Sequence, residues 1–208
     1  MKFPPITIKR SFLNGFIYFL LVMVFGVVVP ASKGLGFFNS TLLSAYACLG
    51  TIFAGPLAAS KFAQRPASFK QGLSWILRAV CFGELLAIAM LVCGVATVFF
   101  TSIAFFPPDL GTVGAALLLG LTACLALASL AAWVTVEFSA GAARMVLRVI
   151  FLGLLLLFYL RGQWLPSEFG PGILISLMAA ATFLLLLRNN LSRRVLGSNA
   201  TEPDTTGS

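Results

Sequence analysis

From Ser11 to Pro30, and again from Gly34 to Ser60, the chain runs without a single charged residue, and Lys33 is the only charge between the two runs. The hydrocarbon core of a bilayer is about 30 Å thick, and a helix rising 1.5 Å per residue crosses it in about 20 residues. Each run is long enough to do so. Runs of the same kind recur to the end of the chain, giving candidate spans at 11–30, 38–60, 79–106, 110–136, 145–162 and 169–187. In hydrocarbon every backbone N–H and C=O must be satisfied inside the segment, so such runs fold as helices. The expected fold class is therefore all-α: a polytopic transmembrane helix bundle of about six spans over residues 1–194. Residues 195–208 are polar, lack periodicity and read as a disordered cytoplasmic tail.

Composition supports the same conclusion. Hydrophobic residues make up 60% of the 208, charged residues 10%, and the mean hydropathy is +1.02. A soluble domain carries about 25% charged residues, so this chain holds too much apolar surface for one. Six helices with short turns use nearly the whole length, which leaves no room for a separate soluble domain.

Several function classes are excluded. The chain has no histidine, which removes the usual general base near neutral pH and the commonest metal ligand. Cys48, Cys81, Cys93 and Cys124 all lie inside apolar runs without a CxxC spacing, so they read as small buried residues. No nucleophile, base and metal ligand converge, and neither enzyme activity nor a cofactor is expected. The net charge of +8 comes from residues scattered at the ends of apolar runs rather than on one face of a domain, which argues against nucleic acid as a partner.

Those basic residues instead orient the chain. With the N-terminus inside, the interior segments hold Lys2, Lys9, Arg10, Lys61, Arg65, Lys70, Arg78, Arg144, Arg148, Arg188, Arg193 and Arg194, and the exterior turns hold Lys33 and Arg161. Lys and Arg concentrate on the cytoplasmic side of membrane proteins. Both termini are therefore expected inside, in a multi-pass protein of the cell membrane of the bacterial inner-membrane kind. Val29-Pro30-Ala31 after a basic start also fits a signal-peptide cleavage site, but the run is longer than a typical signal core and further spans follow. Asn39-Ser40-Thr41 fits a glycosylation pattern, and its position against the membrane favours coincidence.

Three features stand out from the apolar background. In the fourth span Thr112, Ala116, Gly120, Cys124, Ala128 and Ala132 recur every four residues. Small side chains at that interval let another helix approach closely. Gly50, Ala54 and Ala58 repeat the pattern in the second span, and Ala89, Cys93, Thr97 and Thr101 more weakly in the third. Such stripes serve either packing within one bundle or a seam in a homo-oligomer or larger membrane complex.

The second feature is Glu84, an acid set well inside the third span, with Arg148 at a similar depth from the same side in the fifth. Ionisable groups at such depths face the protein interior and are candidate functional sites. Three readings stay open: an ion pair between Glu84 and Arg148, a proton or substrate site at Glu84, and snorkelling to the interface.

The third is the interior segment KFAQRPASFKQGLSWILR, residues 61–78. After Pro66, Phe69, Leu73, Ile76 and Leu77 fall at helical spacing among polar residues, as in an amphipathic helix lying at the interface. Phe69, Lys70, Leu73, Trp75 and Arg78 would either anchor it to the lipid bilayer or dock a cytoplasmic partner. Six short-looped helices with this segment between the second and third resemble the membrane permease subunits of ATP-binding-cassette exporters over residues 1–190. The resemblance implies transport driven by an ATPase that docks at the segment. No Walker motif is present, so the ATPase would be a separate chain. The segment lacks the acidic, glycine-containing stretch common in that loop. The alternative is a non-transport accessory or assembly subunit of a larger membrane complex.

Overall fold

The structure, a computed structural model, describes residues 38–100, 110–161 and 166–199 together with Leu13 and Ile17. The rest of the expected first span, the Pro107-Pro108-Asp109 turn and the chain from residue 200 lie outside the described residues. Within them the chain is helical and contains no strand: α1 Phe38–Phe62, α2 Phe69–Phe100, α3 Leu110–Glu137, α4 Ala140–Arg161 and α5 Pro166–Asn199. Three of these helices are long and apolar enough to cross a membrane, over Phe69–Met90, Gly111–Glu137 and Phe169–Arg193. The chain is thus compatible with an integral membrane protein.

Local chemistry sets the helix ends. The last turn of α1 closes with the Arg65 amide donating to the Phe62 carbonyl at 3.0 Å, and Arg65 takes a left-handed conformation at φ 54°. Pro66 follows and cannot extend the helix. Ser68 then caps α2. Its Oγ accepts from the Gln71 amide at 3.2 Å, while Gln71 Oε1 reaches back to accept from the Ala67 amide at 2.8 Å. That is the reciprocal logic of a capping box, shifted by one residue. Between α3 and α4 only Phe138 and Ser139 are non-helical, and Ser139 Oγ accepts from the Ala142 amide at 3.1 Å.

Two boundaries differ from the sequence expectation. The amphipathic segment after Pro66 is not a separate interfacial helix, because α2 runs unbroken for 32 residues from Phe69. No proline or glycine pair interrupts it near residue 79, so the capped first turns propagate straight into the apolar run. Likewise α5 continues to Asn199, past the expected boundary at 194. Pro56 lies inside α1, which continues through it.

The central pair is α1 and α3. Helix α2 packs mainly on α1, α5 on α3, and α4 on both. One core cluster joins Phe62 of α1, Ile76 and Val80 of α2, Val134 and Val136 of α3, Ala143 of α4, and Leu187 and Leu191 of α5. One end of each helix therefore meets at the same end of the bundle. A smaller cluster of Ala116, Leu119 and Phe169 ties α3 to α5 further along. Two buried hydroxyls bond to their own helix: Thr122 donates to the carbonyls of Leu118 and Leu119 at 3.0 and 3.1 Å, and Thr135 to that of Ala131 at 2.6 Å. Satisfying a hydroxyl within its own turn removes the need for water.

Candidate functional site

The small-residue stripes build the site. On α3, Ala116, Gly120, Cys124, Ala128 and Ala132 are all buried and Thr112 is half-buried. On α1, Gly50, Ala54 and Ala58 are buried too, and Ala54, Ala58, Cys124, Ala128 and Ala132 share one core cluster. Two of the predicted stripes thus converge in one α1–α3 contact. The third does not take part, since Ala89 and Cys93 are exposed on α2, and the side chains of Thr97 and Thr101 lie outside the described residues.

The backbones of α1 and α2 approach closely, and the Cys124 thiol of α3 reaches the same place. A Cβ on Gly83 would stand 2.7 Å from the Gly50 carbonyl oxygen and 3.1 Å from Ala54 Cβ. A Cβ on Gly50 would stand 2.6 Å from Cys124 Sγ and 3.3 Å from Glu84 Oε1. Neither position has room for a side chain. Glu84, one residue beyond this crossing, is 9% exposed. Its carboxyl group is thereby held at a three-helix junction, against the α1 backbone at Gly50 and near the Cys124 thiol.

Arg148 lies elsewhere. It is exposed on α4, on the same face as exposed Met145, Val149 and Leu152. Helices α2 and α4 each pack on α1 and α3, and not extensively on each other. Equal depth in sequence did not mean a shared interface, because α1 occupies the space where the two helices were expected to meet. Leu147 of α4 seats instead against Gly55 of α1, where an added Cβ would stand 2.8 Å from Leu147 Cδ2.

The expected docking residues split. Phe69, Leu73 and Trp75 are half-buried, with Phe69 and Trp75 packed on the core, and the Trp75 ring meets Phe62 edge-on with centroids 5.7 Å apart. Lys70 and Arg78 are exposed, as are Lys61, Gln64 and Arg65 at the α1–α2 connection. The aromatic residues hold the hairpin together, and the polar ones form its outer surface.

Two features escaped sequence reasoning. Asn190 of α5 donates from Nδ2 to Glu137 Oε2 at the end of α3. Nothing in the sequence links positions so far apart, although a carboxylate at a helix C-terminus opposes the dipole and calls for a donor. Ser68 and Gln71 did carry a readable signal, the Ser-x-x-Gln spacing of a capping box.

No protein-family model, no curated protein and no solved structure is significantly similar to this chain.

Proposed function

We propose that this chain is a six-span, non-enzymatic subunit of the cell membrane, with both termini in the cytoplasm, that serves as the permease of a transport system driven by a separate ATPase. The observation that supports this reading is the α1–α2 hairpin. It is capped by Ser68 and Gln71, braced by the Phe62–Trp75 contact, and exposes Lys61, Gln64, Arg65 and Lys70. A rigid basic surface beyond the apolar helices suits a cytoplasmic protein that must push on the bundle. The buried Glu84 supports transport as well, since an intramembrane carboxyl group is a natural site for a proton or a cationic substrate.

A specific observation favours the second reading, an accessory subunit. The α1–α3 seam is lined by alanine, glycine and cysteine at close approach, and such a seam suits a scaffold better than a polar pathway. Photocrosslinkers at Gln64 and Lys70 separate the two, because both side chains are exposed and neither supports the core. Capture of a nucleotide-hydrolysing protein is the expected result. Capture of another integral membrane protein, with no ATPase at either position, would transfer the assignment to the accessory role.

A further inference from the structure

Among the residues whose side chains are described, eight cations gather at the end of the bundle where the core cluster joins all five helices: Lys61, Arg65, Lys70, Arg78, Arg144, Arg148, Arg188 and Arg193. Arg161 closes α4 at the other end. Three of the eight share a further property. Arg78 continues an exposed apolar stripe on α2 formed by Leu77, Cys81, Leu85, Ile88 and Val92. Arg148 lies among exposed Met145, Val149 and Leu152 on α4, and Arg188 follows exposed Leu185 and Leu186 on α5. The core cluster sets their common level: Ile76 and Val80 flank Arg78, Val146 and Leu147 precede Arg148, and Leu187 and Leu191 flank Arg188, all within or packed against that one cluster.

From this placement we infer that Arg78, Arg148 and Arg188 form a girdle that binds the phosphate groups of anionic phospholipids. The inference rests on the membrane reading above. An arginine at the top of a lipid-facing stripe has an apolar stem that packs along acyl chains and a guanidinium that reaches the headgroup level. The planar guanidinium pairs bidentately with a phosphate, and its charge favours a headgroup with net negative charge over a zwitterionic one. In the sequence no acidic residue lies between Lys61 and Gly83 or between Ser139 and Arg161, and Glu137, the acid at this end of α3, accepts from Asn190. Because the hairpin residues Lys61, Gln64, Arg65 and Lys70 are a separate set, lipid and a docked protein can engage this end together.

The test uses the full-length protein in nanodiscs of phosphatidylcholine alone, or of phosphatidylcholine mixed with phosphatidylglycerol, with the thermal midpoint followed by tryptophan fluorescence. Phosphatidylglycerol should raise the midpoint of the unaltered protein. The Arg78→Gln, Arg148→Gln, Arg188→Gln variant should match it in phosphatidylcholine and lose the rise, each arginine carrying roughly a fivefold preference for the anionic lipid. A rise retained in full by the triple variant, or none in the unaltered protein, overturns the girdle. If the variant does not insert, the unaltered protein in rising salt carries the test: the preference should fall steeply, and a salt-independent rise would count against a phosphate contact. A chain that fails to enter the discs at all would overturn the membrane reading and this one with it.

Discussion

Glu84 shows what depth in a sequence leaves undetermined. It lies inside an apolar helix, and its burial follows from that helix packing on α1 at the Gly50–Gly83 crossing. Its expected partner turned outward because the direction of Arg148 depends on how α4 rotates about Leu147 and Gly55, a packing detail without a local signal. Arg148→Gln should therefore leave the thermal midpoint in detergent nearly unchanged, while Glu84→Gln lowers it. The double variant should melt like Glu84→Gln alone, and recovery in the double would establish the ion pair instead. Arg65 offers a second residue-scale test. A non-glycine residue in the left-handed region costs about 1 kcal/mol or somewhat more. Arg65→Gly should recover up to about 1 kcal/mol, whereas Arg65→Val, with its branched Cβ, should lose stability.

At the scale of elements, the four-residue repeats of small side chains run along faces of α1 and α3 that are buried, since small residues permit close approach. The same repeat on α2 takes no part in packing within this bundle, where Ala89 and Cys93 are exposed: small residues allow close packing but do not compel it. Gly83→Ala forces a Cβ against the backbone at Gly50 and should destabilise by about 1 to 3 kcal/mol, as overpacking does. Ala128→Leu, at a fully buried stripe position, should cost at least as much. Gly114 on α3 meets nothing within 4 Å, so Gly114→Ala should be neutral or gain up to about 1 kcal/mol from helix propensity. Melting of the purified variants in detergent checks the order. The start of α2 was less legible: amphipathic spacing from Phe69 to Arg78 suggested a separate segment, whereas the Ser68 cap and an uninterrupted run make one long helix.

For the whole molecule, apolar run length was sufficient for a helical fold, even with Pro56 inside α1 and Pro171 inside α5, since the bilayer leaves few alternatives. Neighbour relations were not legible, because every lipid-compatible face looks alike in composition. Among the residues whose side chains are described, eight cations stand at one end of the bundle. The central claim is that this end faces the cytoplasm of a multi-pass membrane protein. Single cysteines in a cysteine-free background at Ala67, Ser139 and Asp109 test it most directly, read by a membrane-impermeant thiol reagent on intact cells. Ala67 and Ser139 are exposed in the two connections at the basic end. The account predicts that Ala67→Cys and Ser139→Cys stay unlabelled until the membrane is permeabilised, while Asp109→Cys is labelled at once. Labelling of the first two in intact cells, with Asp109→Cys protected, would contradict it.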